Sequence, residues 1–167
     1  MKYTLKEIEC KIKDIEVYDK KIKDEFWATF GKYMAPHPSA SNEKVNWINY
    51  KTGIRQVQFR LEVNDRLAGV YIELSNSDLQ VQKKLFDQVL QDIDLLSSYT
   101  DEKWQLSPRL TTGEGRVVSR IFQELPKVNV YFKSDWPSII SFFKFHLVGI
   151  DRFWTDQKDL YTFIADS

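Results

Sequence analysis

Apolar residues recur at Leu5, Ile8, Ile12, Ile15, Ile22, Phe26 and Phe30, with one skipped beat at Asp19. Spacings of three and four predict a helix. Thr4 and Glu7 stand at the separation of a capping box, in which each side chain satisfies an N–H at the helix start. Acid-before-base pairs four apart, such as Glu7 with Lys11 and Glu16 with Lys20, support the same segment. Pro36 and Pro38 end it near Met34. At 1.5 Å per residue a helix from Leu5 to Met34 is about 45 Å long, against about 40 Å for a globule of this size. Its first turns therefore overhang. Leu5, Ile8, Ile12 and Ile15 keep the spacing of a coiled-coil seam. Either a homodimer forms through them, or the helix breaks near Val17-Tyr18 and folds back.

From Val45 to Leu74 the period changes to two, which predicts a three-stranded meander. Lys51-Thr52-Gly53 suits a hairpin loop with Gly53 in the left-handed region. Asn64-Asp65 suits a two-residue turn, which sets Leu61 against Ala68, Phe59 against Val70 and Val57 against Ile72. Both turns place Val45, Trp47, Val57, Phe59, Leu61, Ala68, Val70 and Ile72 on one face. Asn46, Ile48, Gln56, Gln58, Arg60, Tyr71 and Glu73 fall on the other. The sheet is expected to be covered on one side and polar on the other.

A second helix is expected from a cap at Asn76, Ser77 or Asp78 to about Ser98. Strands follow near 104–110, 116–125 and 128–133, with Thr111 to Gly115 a turn by composition. A third helix runs from the caps Ser134 and Asp135 to about Trp154, and Thr155 caps a short last one. The order is α-βββ-α-βββ-α: an α+β domain with a mainly antiparallel sheet and helices largely on one face. Residues 1–21 read as a helical extension continuous with a single domain over 22–167. Trp47 and Trp104 each lie 30 residues before a Ser-Asp pair, a spacing that a duplicated βββα unit or chance would produce.

Composition narrows the picture by exclusion. Lys plus Arg and Asp plus Glu number 24 each, so no global field draws nucleic acid or anionic lipid. Cys10 is alone, which points to a reducing, cytoplasmic setting. Met1 to Glu9 has no apolar signal core, and no window is long enough to span a membrane. His37 and His146 belong to no zinc-like spacing, so no metal or cofactor is expected. No Gly-x-Ser-x-Gly elbow occurs, and Thr112-Gly113-Glu114-Gly115 lacks the Lys of a phosphate loop.

One enzyme pattern fits in part. A helix, three antiparallel strands, a helix and a strand is the core order of restriction-type nucleases, with acids on the second and third strands. Glu62 or Asp65 supplies the first acid and Glu73 the second, but position 75 is Ser where a Lys would orient the attacking water.

Two segments are distinctive: Phe26-Trp27-x-x-Phe30-Gly31-Lys32-Tyr33-Met34-x-Pro36-His37-Pro38-Ser39-Ala40 and Trp47-Ile48-Asn49-Tyr50-Lys51-Thr52-Gly53-Ile54. With Ile72-Glu73-Leu74, Trp104 and the aromatic third helix, residues 22–160 resemble a bacterial family, domain of unknown function 4268. The resemblance carries over no catalytic residue. In longer proteins the domain is similar to one found behind nuclease-like regions, which implies a nucleic-acid or defence context. The stretch before Ile22 is an addition to that pattern.

The residues therefore point to a binding or interaction module without a catalytic site, with a divergent nucleic-acid-acting enzyme as the alternative. The expected binding surface is the open face of the meander. There Arg60 stands opposite Gly69 and diagonal to Tyr71, at cation–π reach, with Gln56, Gln58 and Asn46 around them. Such a face suits a nucleobase, a peptide or a carboxylate.

Overall fold

A computed structural model describes residues 2–167. The capping box forms: Thr4 Oγ1 accepts from the Glu7 N–H, and Glu7 accepts from the Thr4 N–H at 2.7 Å. Helix α1, Leu5–Met34, runs unbroken through Val17-Tyr18. Its first buried residue is Ile22, followed by Phe26, Phe30 and Met34. Leu5, Ile8, Ile12 and Ile15 are 72%, 37%, 49% and 59% exposed, so the N-terminal turns overhang.

Among the described residues four strands form one antiparallel sheet: β1 (Val57–Val63), β2 (Leu67–Leu74), β3 (Gln105–Thr111) and β4 (Val117–Pro126), in the order β1-β2-β4-β3. Helices α2 (Leu79–Gln91), α3 (Ile93–Thr100) and α4 (Trp136–Ala165) complete an α+β fold. Val57, Phe59, Val63, Val70, Ile72 and Ile121 share one sheet face and join Phe26, Phe30, Leu85, Phe143, Leu147 and Trp154 in the core. The opposite face carries Gln58, Arg60, Tyr71, Glu73, Arg120 and Phe122. Among the described residues no helix is long and apolar enough to cross a membrane.

The structure departs from the expected order in six places, each for a physical reason. Val45 to Tyr50 is not a strand. Trp47 Nε1 donates to the His37 carbonyl at 2.9 Å, and Tyr50 donates to Asp151 of α4 at 2.6 Å, so this segment is tied to other elements. Gly53 does take φ +83°, but in a loop whose Thr52 carbonyl accepts from Trp154 Nε1, not in a hairpin. The β1–β2 register differs by two residues: Phe59 faces Ile72, and Arg60 faces Tyr71. Asn64 forms the turn with its side chain, accepting from the Arg66 and Leu67 N–H groups. A slip of two preserves the face of every side chain, so the apolar set remains together.

The expected second helix is split at Asp92, whose carboxylate accepts from Tyr161 and Gln88 at 2.9 and 3.1 Å. The expected strand at 128–133 is a turn that lends its Val128 and Val130 N–H groups to Arg66 and Asn64 of the hairpin. The last two helices are one, because Phe153, Trp154 and Tyr161 continue the buried stripe of α4 past Thr155. Each half of the chain thus holds two strands instead of three, which removes the βββα repeat.

Candidate functional site

The open sheet face centres on a carboxylate. Glu73 precedes the last residue of β2, with Gln58 of β1 on one side and Arg120 of β4 on the other. Its side chain is 3% exposed. Arg60 Nε donates to Oε1 at 2.9 Å, and Arg116 Nη2 lies 3.3 Å from the same oxygen. Arg120 Nε and Nη2 donate to Oε2 at 3.1 and 2.9 Å. Arg60 Nη2 also donates to Gln58 Oε1 at 2.6 Å.

A buried carboxylate without partners would be costly. Three guanidiniums offset that cost, and the carboxylate in turn holds three like charges side by side. Each guanidinium has five N–H donors, and no more than two of each are engaged among the described residues. Arg60 and Arg116 are 42% and 49% exposed and present their remaining donors to solvent.

Tyr71 sits one row further along. Its ring leans over Gly69, where a Cβ would collide with it. Its hydroxyl donates to Glu124 at 2.7 Å, it stacks on Phe122 at 5.7 Å, and Arg120 lies over it at 4.9 Å. The expected cation–π partner Arg60 is replaced by Arg120, because Arg60 is drawn to Glu73. Burial, and then the bond to Glu124, push the Tyr71 hydroxyl above the usual tyrosine range.

The structure brings Arg60, Gln58, Gln56 and Tyr71 onto one face. It places Asn46 apart, in a turn beside α1 where its Oδ1 accepts from the Ile48 and Asn49 N–H groups. Asp65 is exposed in the β1–β2 turn beside Arg66, while Glu73 lies near the other end of the hairpin. Roughly 25 Å of strand separates them. Glu62 is 3.8 Å from Arg120, and Ser75 closes the ladder through its N–H to Gln56. Among the described residues no group of three or more His, Cys, Asp or Glu is placed to hold a metal. Arg116 and Arg120 went unread in the sequence. Their four-residue spacing puts them on one face of a strand, but only the β2–β4 pairing brings that face to Glu73.

Two concavities flank the cluster. One, about 470 Å³, lies between Arg60, Glu62, Glu73, Arg116, Arg120 and the β3–β4 turn. The other, about 450 Å³, lies between Arg55, Gln56, Gln58, Arg116 and the Ser75-Asn76-Ser77 entry to α2.

Elsewhere, buried polar groups serve packing. Asp151 of α4 accepts from the Ser39 hydroxyl, the Ala40 N–H and the Tyr50 hydroxyl at 2.7, 2.7 and 2.6 Å. His146 is buried beside Trp104 and Phe142, with Nδ1 at the Phe142 carbonyl and Nε2 at Glu102. Cys10 is exposed on the overhang.

Comparison with curated proteins and with solved structures returned no match. Residues 22–158 match the family described as Domain of unknown function (DUF4268), a span that opens at the first α1 residue to enter the core, and the chain belongs to that family.

Proposed function

We propose that the domain is a non-catalytic binding module that receives an anionic ligand on the open face of its sheet. The observation behind this reading is the Glu73 cluster: one buried carboxylate orients three guanidiniums, and two of them, Arg60 and Arg116, keep free donors exposed to solvent. Preset guanidinium forks favour phosphate or carboxylate oxygens, because little side-chain freedom is lost on binding. Fluorescence anisotropy with labelled single-stranded oligonucleotides and acidic peptides tests it. Arg60→Ala and Arg116→Ala should each weaken binding while the protein stays folded. Full binding by both variants contradicts the reading.

The overhang of α1 supports a homodimer as the second element of the proposal. The stripe Leu5, Ile8, Ile12 and Ile15 is exposed, and the same stripe enters the chain's own core at Ile22. A parallel partner helix would run into that core, whereas an antiparallel one would end before it. Antiparallel pairing sets Leu5 against Ile15 and Ile8 against Ile12 between the copies. Light scattering should give a dimer for the full chain and a monomer for Ile8→Glu/Ile12→Glu. A monomeric full chain removes this element and leaves the sheet site untouched.

A further inference from the structure

The concavity beside the Glu73 cluster has an unusual lining. It holds Arg55 and Arg116 and no carboxylate, whereas its neighbour holds Glu62, Glu73 and Glu114. Arg55 is exposed and makes no ion pair with any described residue. The amides there have their oxygens engaged: Gln58 Oε1 accepts from Arg60, and Asn76 Oδ1 accepts from the Asp78 N–H at 2.8 Å. Their NH2 groups are left as donors. Ser75 and Ser77 add hydroxyls that rotate to donate. The lining is therefore rich in donors and positive, which suits a tetrahedral oxyanion.

The cations also span both concavities. Arg55 and Arg116 frame the first concavity, Arg116, Arg60 and Arg120 frame the second, and the Phe122–Tyr71 ring pair lies in the same cross-strand row as Arg60. A repeating anion spans two adjoining concavities that share Arg116 better than one small ion does. The half-buried Phe122 ring offers an apolar surface next to it, as sheet platforms for unpaired bases do.

We propose that the Arg55–Arg116 concavity is a phosphate subsite for a backbone phosphodiester of single-stranded nucleic acid, with the strand continuing past Arg60 toward Phe122. This rests on the open face being the binding surface. A phosphodiester oxygen pair takes N–H bonds from both guanidiniums while Gln58 and Asn76 donate from the sides. No bond is made or broken.

The test uses the full chain, a short fluorescein-labelled oligothymidylate, and polyglutamate of similar length as competitor. The wild type should bind the oligothymidylate with an affinity that falls as salt rises, and polyglutamate should not displace it. Arg55→Ala should weaken binding about tenfold, the loss of one hydrogen bond to a charged group. Binding unchanged in Arg55→Ala but lost in Arg60→Ala overturns the subsite and leaves the open-face reading standing. Displacement by polyglutamate overturns the nucleic-acid assignment, since the ligand chemistry would then be carboxylate. A wild type that binds neither probe overturns both.

Discussion

Glu73 and Asp151 are both 2% exposed acids, yet they sit in opposite electrostatic company. Asp151 meets only neutral donors, two hydroxyls and one backbone N–H, and ties the 39–50 connector to α4. Glu73 meets three cations and ties nothing distant together, since all three come from its own sheet or the turn beside it. A carboxylate satisfied by neutral donors closes a structure. A carboxylate ringed by three guanidiniums leaves free N–H donors at the surface, with Glu62 offsetting part of the charge. That difference sets one acid apart as a staple and the other as the floor of the proposed site.

The largest expected effect breaks the staple. Asp151→Ala leaves buried donors unpaired and should cost about 3–5 kcal/mol by thermal or urea unfolding. Because its partners are neutral, added salt should not restore the loss. Glu73→Gln should cost roughly 2–3 kcal/mol, and salt should recover part of it by screening the arginines from one another. Equal salt responses at the two positions would erase the distinction drawn between them.

Gly69→Ala comes next. It denies Tyr71 its place over the strand, and such overpacking should cost about 1–3 kcal/mol. Loss of near-ultraviolet dichroism in parallel with stability would mark Tyr71 as the side chain displaced.

An alkaline titration compares the two sites through their tyrosines. Burial and then the Asp151 bond raise the Tyr50 hydroxyl, and burial and then Glu124 raise that of Tyr71. Each folded-state value lies above the unfolded value near 10. The folded protein therefore holds these protons more tightly, and the stability they contribute is full below pH 10 and declines as pH rises beyond it. Tyr50→Phe and Tyr71→Phe should each flatten that decline, as urea midpoints measured upward from pH 9 would reveal. The smallest effect is Gln58→Ala, about 0.5 kcal/mol or less, although Gln58 lines the candidate site.

Caps and side-chain alternation were legible in the sequence where partners lie close in the chain, while the two turns at 51–53 and 64–65 were not. Thr4 and Glu7 predicted a cap that forms. The alternation from Val57 to Leu74 assigned each side chain to its face, and it survived a two-residue register difference because faces repeat with the same period. Distant partners were not legible. Trp47 and Tyr50 carry the residue types of a strand, but His37 and Asp151 hold them elsewhere. Tyr161 accounts for the break at Asp92 from 69 residues away. Arg60, Gln58 and Tyr71 share a face through the alternation of one hairpin, although Arg60 pairs with Tyr71 and not with Gly69. Arg116 and Arg120 required the pairing of β2 with β4, which no short pattern announces.

The central claim is that the arginines around Glu73 and Arg55 receive an anionic strand. Arginine Nε–H resonances, recorded by NMR while oligothymidylate is titrated into the full chain, test it most directly. Signals of Arg55, Arg60 and Arg116 should move together and saturably, while those of Arg66 and Arg152 stay in place. Shifts confined to other arginines, or none at saturating oligonucleotide, would contradict it.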